Sequence, residues 1–362
     1  MKEEGIEFQA CKGVFYNPNM NFCRSLASLA VGAIDEKLVV CDAFAATGIR
    51  GIRYAKENRN VKDLILVDIE DKAAKCSKDN AKKNKIKAKV MKGNISKLVF
   101  DIAADFVEVD PFGTPAPYLY DVFRMFNPLK RGYLSVTATD VAVLCGGKTK
   151  ACMKNYHSKP LNNEFTHENG LRIIMKKVAD VAAEFNMGIE PLVSVSDRHY
   201  LKTIVKVTRG AKPADDALNK LGFIEFCPHC EYRRTVKFPG EKCFNCRKSI
   251  EYAGPLWLGE LHDKKFLSKM EKLNNKRKYS LKDELKSKIE LLKGEVGMPP
   301  YFYSLHQFSK KISPGYIPRT NEVLEKIRKK GNKAVKTHFS ITGIKTNAPY
   351  KTLKTIFQKG RK

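Results

Sequence analysis

The 362-residue chain has no apolar run near the roughly 20 residues that a membrane-spanning helix needs. Its apolar runs, such as Leu64-Ile65-Leu66-Val67, are strand-sized. Met1-Lys2-Glu3-Glu4-Gly5 lacks the apolar core of a secretion signal, and no lipidation motif is present. A membrane role is therefore disfavoured and a cytoplasmic location expected. Acidic residues are also scarce: 39 Asp plus Glu stand against 67 Lys plus Arg, a net charge of +28. Such an excess implies a polyanionic partner, because neutralising phosphates releases counterions and dominates nucleic-acid affinity. The excess is uneven. Residues 261–362 hold 26 Lys plus Arg and 8 Asp plus Glu, which is +18 of the +28 in under a third of the chain.

Residues 37–210 alternate between strand-like and helix-like patterns. Strands are predicted at Leu38–Cys41, Leu64–Val67, Lys87–Met91, Phe106–Val109 and Tyr133–Thr137, with helices between them. A long amphipathic helix over Glu168–Phe185 follows, then two strands, Ile189–Val195 and Leu201–Val207, spaced for a hairpin. Strands alternating with helices imply a parallel sheet covered on both faces. Residues 211–220 read as a linker. Beyond it, Ser280 is placed to cap a helix over 281–293 and Thr320 a helix over 321–330.

Asp42-Ala43-Phe44-Ala45-Ala46-Thr47-Gly48 lies between a strand and a helix, where small residues let a ligand approach the backbone and the helix N-terminus offers free N–H groups. Asp68 ends the next strand, where a carboxylate can accept both hydroxyls of a ribose. A nicotinamide dinucleotide would want the same two features. Asp110-Pro111-Phe112-Gly113 breaks the tie. An amine conjugated to a purine is a poor nucleophile because its lone pair is delocalised. The Asp110 carboxylate and the Pro111 carbonyl can each accept one N–H, holding the nitrogen pyramidal, while Phe112 stacks on the base. Hydride transfer has no use for that loop.

The chain has ten cysteines. Cys227, Cys230, Cys243 and Cys246 form two CxxC pairs whose spacing suits a closed, structural zinc site. The other six (Cys11, Cys23, Cys41, Cys76, Cys145, Cys152) are scattered, which suits a reducing compartment rather than a disulfide framework. Tyr301, Phe302, Tyr303 and Tyr316 lie in the basic last third, suited either to stacking on bases or to core packing.

Five blocks together carry a resemblance: Val14-Phe15-Tyr16-Asn17-Pro18-Asn19-Met20 with Arg24, Asp42 to Arg50, Asp110 to Pro115, Thr139-Asp140-Val141-Ala142-Val143-Leu144-Cys145-Gly146, and Gly254-Pro255-Leu256-Trp257 with Thr337-His338-Phe339. In order and spacing they resemble the tRNA (guanine-26-N2)-dimethyltransferases from about residue 10 to 355. The resemblance implies an α/β fold: a class I, Rossmann-like methyltransferase domain over 1–210, then a basic α+β domain over 211–362 that binds tRNA and contains the four-cysteine zinc module at about 223–252. It implies S-adenosylmethionine as methyl donor, with Arg24 and Arg50 near its methionine end, Asp68 on its ribose, and Asn94 and Ile95 beside its adenine. Asn94-Ile95 stands where the family often has Asp-Ala. One or two methyl groups would go to N2 of one guanine in tRNA. An RNA-binding protein that has lost activity, or a methyltransferase for another base, are the competing readings. The residues specify no oligomeric state, and a monomer is compatible with them.

Overall fold

The computed structural model describes residues 1–126 and 131–358. Its centre is a seven-stranded sheet: β1 (Leu38–Asp42), β2 (Val61–Asp68), β3 (Ala88–Lys92), β4 (Phe106–Val109), β5 (Arg131–Ala138), β6 (Met187–Asp197) and β7 (Tyr200–Arg209). The spatial order is β3-β2-β1-β4-β5-β7-β6, and β7 alone runs against the rest. Val40, Leu64, Leu66, Phe106, Val107, Leu134 and Val136 are fully or almost fully buried. Such near-continuous apolar strands are what a sheet covered on both faces requires. The covering helices are α1 (Asn21–Ala33), α2 (Ile49–Glu57), α3 (Asp71–Lys83), α4 (Ala116–Phe126), α5 (Thr149–Tyr156) and α6 (Thr166–Glu184). The strand order reverses at β1, which pairs with both β2 and β4. Ligands of open α/β sheets sit at the carboxyl ends of the strands beside such a reversal.

The 211–220 segment is not a linker. Ala211–Leu218 forms helix α7 on β6, and Gly188 admits it: a Cβ there would stand 2.0 Å from the Pro213 carbonyl oxygen. Pro213 falls in the first turn, where its missing N–H costs nothing. A three-stranded sheet follows, β8 (Leu221–Phe226), β9 (Arg233–Val236) and β10 (Glu251–Trp257), with β8 central. Next come α8 (Lys264–Lys276) and α9 (Lys282–Glu295), and then β11 (Tyr303–Ser304), α10 (Leu305–Ile312), α11 (Thr320–Arg328), β12 (Ala334–Thr337), β13 (Ser340–Thr346) and α12 (Tyr350–Gln358). The expected caps differ. Ser280 does not cap α9; its hydroxyl bonds Glu4 at 2.6 Å. Thr320 lies inside α11, not at its cap.

Apolar packing crosses residue 210. Phe266, Leu267, Met270, Leu285, Ile289 and Leu292 share one core with Phe22, Leu26 and Leu29. Trp257 and Phe302 share another with the central sheet. Each buried side chain of this size contributes about 1.5–3 kcal/mol. Residues 303–357 hold a third core of their own around Phe308, Ile327, Ile344 and Leu353. Phe302 and Tyr303 are buried in these cores, so that aromatic run is packing rather than a stacking surface. No helix among the described residues is long and apolar enough to cross a membrane. One cysteine pair departs from expectation: Cys11 and Cys76 form a disulfide, 65 residues apart in sequence, that ties the N-terminal segment to α3.

The outward N–H groups of edge strand β6 are closed off by two imidazoles from the C-terminal half. Ser194 N donates to His262 Nδ1 at 3.2 Å and Ser196 N to His338 Nε2 at 3.3 Å. Between the rings lies the buried Glu295 carboxylate, 2.8 Å from His338 Nδ1 and 3.7 Å from His262 Nε2. Burial lowers the pKa of His262 below the ordinary 6.5. Burial opposes ionisation of Glu295, yet His338, His262 and Lys345 outweigh it and hold its pKa well below 4.5. Both groups bind more protons unfolded than folded, so both contribute stability that is lost as pH falls: His262 below 6.5, Glu295 below 4.5. We expect the change in melting temperature between pH 7 and pH 5 to be more negative in the wild type than in His262→Gln, which lacks the titrating imidazole. An equal slope in wild type and variant contradicts this account.

Candidate active site

At the carboxyl ends of β1, β2, β4 and β5 lies a cavity of about 380 Å³, lined by residues of the N-terminal segment (Phe15, Tyr16, Asn17, Arg24), the turn 42–50, Asp68 to Glu70, Asp110 to Phe112 and Thr139. The turn after β1 is held open by its backbone. Ala46 is left-handed at φ 46°, and its N–H donates to Asp68 Oδ2 at 2.8 Å. Gly48, at φ 76°, has no room for a side chain, since a Cβ would come within 2.9 Å of Ser77 Cβ. Asp68 does not cap α3; its other oxygen accepts from Glu70 N at 3.0 Å. Its carboxylate therefore fixes the turn and faces the cavity together.

The floor is a buried charge cluster. Glu108 is on β4 and Asp110 directly follows the strand, two residues further on, so the two side chains leave the extended chain on the same side. Arg50, from the first turn of α2, forms a close ion pair with Asp110 Oδ2 and lies 3.9 Å from Glu108. Glu108, fully buried, also accepts from Lys202 Nζ at 2.6 Å and Tyr54 Oη at 2.7 Å. Burial disfavours its charge, but Lys202 and Arg50 outweigh that and lower its pKa. Asp42 differs. Burial pushes its pKa up to about 7, helped by Glu108 and Asp110 and opposed by Arg50. Among the described residues its Oδ1 meets no hydrogen-bond partner, while Oδ2 accepts from Gly51 N at 3.2 Å.

The rim is aromatic. Phe112 is 76% exposed and Phe15 53% exposed, and their rings meet edge to face at 4.6 Å. The loop between them and the sheet is stapled: Gly113 N donates to Thr139 Oγ1 at 2.9 Å, and Thr139 N to Gly113 O at 3.0 Å.

A match to the N2,N2-dimethylguanosine tRNA methyltransferase family spans residues 1–358. The chain belongs to that family. It is 34% identical over 358 residues to a tRNA (guanine(26)-N(2))-dimethyltransferase of Methanobrevibacter smithii, covering 95% of this chain and 91% of the relative. It is 34% identical over 352 residues to a tRNA (guanine(26)-N(2)/guanine(27)-N(2))-dimethyltransferase of Aquifex aeolicus, covering 93% and 88%. Among solved structures, Trm1 from Pyrococcus horikoshii in complex with S-adenosyl-L-methionine superposes with a TM-score of 0.89 at 30% identity, covering 98% of each chain.

In this family member, Arg50, Asp68, Asp110, Pro111 and Phe112 line one cavity. Arg24 lines it too, but its guanidinium is engaged by Glu3 at 2.5 Å and the Asn17 carbonyl at 3.1 Å. Asn94 and Ile95 stand beside the cavity rather than in its wall. Gly93 N donates to Asp68 O, Asn94 caps the turn Ile95–Leu98, and Ile95 is core. Phe15, Asp42 and Thr139 are cavity residues to which the sequence reading assigned no role, although each sits in a quoted block.

Among the described residues, two groups of side chains have metal-ligand composition. Cys227 and Cys246 sulfurs are 3.5 Å apart and those of Cys230 and Cys243 3.7 Å. Four thiolates on a tetrahedral zinc stand about 3.8 Å apart, so the donor set and spacing fit. Asn245 adds N–H bonds to Cys243 and Cys230 sulfurs at 3.3 and 3.4 Å. The second group, His262, Glu295 and His338, does not fit. A metal-bound imidazole donates its other N–H to an acceptor. Here backbone N–H groups occupy those other nitrogens, so the nitrogens facing Glu295 carry the protons.

Removing one partner of a buried ion pair strands the other charge, typically at a cost of about 3–5 kcal/mol. We expect Arg50→Met to lose stability of that order in urea unfolding. An unchanged midpoint contradicts the role of Arg50 as counter-charge to Asp110 and Glu108.

Proposed function

We propose that the chain methylates the exocyclic N2 of the guanine at position 26 of tRNA, using S-adenosylmethionine, first to N2-methylguanosine and then to N2,N2-dimethylguanosine. The observation that carries this reading is the convergence of the Asp110 carboxylate, Pro111 and two exposed aromatic rings on the cavity that Asp42, Asp68 and the 43–48 turn also line. The donor set suits S-adenosylmethionine: Asp68 faces the cavity where a ribose diol would bond, and the unpartnered Asp42 Oδ1 suits a cationic amino group. When bound, the donor supplies an electrophilic methyl: the N2 lone pair bonds to its carbon while the C–S bond breaks and its electrons stay on sulfur.

The chain's own residues orient the amine. Arg50 occupies Asp110 Oδ2, which leaves Oδ1 to accept one N2–H, and the Pro111 carbonyl accepts the other. These contacts turn the lone pair towards the methyl, and positioning of this kind supplies a large share of a barrier reduction. The proton left on N2 passes to Asp110 Oδ1 and on to water. Phe112 and Phe15 give an extruded base two apolar faces, offsetting the few kcal/mol that flipping costs. Cys227, Cys230, Cys243 and Cys246 would hold a structural zinc that ties β8 to the segment before β10. The basic residues after 260 would follow tRNA phosphates, with affinity falling steeply in salt.

Asp110→Asn tests the assignment. It keeps shape but replaces a carboxylate acceptor with an amide. We expect methyl transfer to fall at least about 100-fold, with tRNA affinity within about twofold of wild type by filter binding. Wild-type turnover in the variant rejects Asp110 as the catalytic carboxylate.

A further inference from the structure

The 110–115 loop is anchored at its far end by a side chain that does not line the cavity. Tyr156, the last residue of α5, is 0% exposed, yet its hydroxyl is a polar node. It accepts from Thr114 Oγ1 at 2.8 Å and donates to the Asp140 carboxylate, whose oxygens lie at 2.9 and 3.0 Å. Asp140 directly follows Thr139, the residue stapled to Gly113. Thr114 Oγ1 also accepts from Ala116 N at 3.3 Å, at the start of α4. Arg50 thus fixes the loop at Asp110, and Tyr156 fixes it at Thr114. Between them stand the Pro111 carbonyl and the Phe112 ring.

We propose that Tyr156 is a positioning residue for the second methyl transfer, acting through Thr114 and Asp140 on the Pro111 carbonyl. This rests on the function proposed above. In the first transfer the amine has two N–H groups, and two acceptors fix its rotation about the C2–N2 bond. After it, one N–H has become a methyl group. A single hydrogen bond must then set the lone pair, while the methyl group has to fit beside the other acceptor. Each transfer forms one N–C bond, breaks one C–S bond and releases one proton from N2. The second has half the orienting contacts and tolerates less displacement of the loop. Loss of the Tyr156 hydroxyl therefore slows the second step more than the first.

Tyr156→Phe removes that hydroxyl and keeps the ring in the core. Thr114→Val reaches the same node from the loop side. Both are assayed under single turnover, with enzyme in excess, on two substrates: an unmodified tRNA transcript and the same tRNA carrying N2-methylguanosine at position 26. We expect the rate on the unmodified tRNA to stay within about threefold of wild type and the rate on the premethylated tRNA to fall about tenfold, or ~1.4 kcal/mol. N2-methylguanosine should accumulate, S-adenosylmethionine affinity should not change, and the double variant should be no slower than the slower single one. A general loss of folded enzyme scales both rates equally, so parallel loss on the two substrates overturns the proposal, as does additivity of the two substitutions. Failure of the wild-type enzyme on both substrates instead rejects the underlying function.

Discussion

The pairing of Arg50 with Asp110, above Glu108 and Lys202, is the contact on which the site depends. An anion at the end of a buried strand needs a counter-charge, and here the cations come from the next helix and from a strand two places away in the sheet. α2 supplies Arg50, and β7 supplies Lys202. With Glu108 and Asp110 ionised, the two cations balance the two anions. Asp42, third acid of the group, is raised to about 7 chiefly by its burial, with Arg50 opposing and Glu108 and Asp110 adding to the rise. A cavity floor built this way pairs two buried cations with two buried anions.

The two halves of the chain depend on each other. Helices α8 and α9 complete the core beneath α1, while His262 and His338 take the open N–H groups of β6. Arg172, on α6, donates to the Trp257 and Gly259 carbonyls, and Glu168, one turn earlier, accepts from Lys345 of β13. The positively charged C-terminal region is thereby held to the catalytic sheet by buried polar contacts as well as apolar packing.

Much of the candidate cavity's lining was legible because its chemistry is local. Asp42, Asp68 and Asp110 each end a short apolar strand, and the turns after them have distinctive composition. The two CxxC pairs announce themselves by spacing. What the sequence concealed is long-range. Lys202 pairs with Glu108 across 94 residues, and nothing in a strand of alternating residues marks that lysine as buried. Cys11 finds Cys76 only because the N-terminal segment crosses α3. Ala211–Leu218 reads as a linker by its Pro and Asp, yet Gly188 leaves space for it to pack as a helix. Ser280 looks like a cap until Glu4, 276 residues away, takes its hydroxyl. Tyr156 lies in a segment with no motif, and its role appears only when Thr114 and Asp140 are seen on either side of it.

The most direct test of the account is methyl transfer from labelled S-adenosylmethionine to unmodified tRNA transcripts, followed by nucleoside analysis. The expected result is label in N2-methylguanosine and N2,N2-dimethylguanosine, lost when the guanine at position 26 is replaced by adenine. Label in another nucleoside, or in these two after that replacement, contradicts the assignment of the target base.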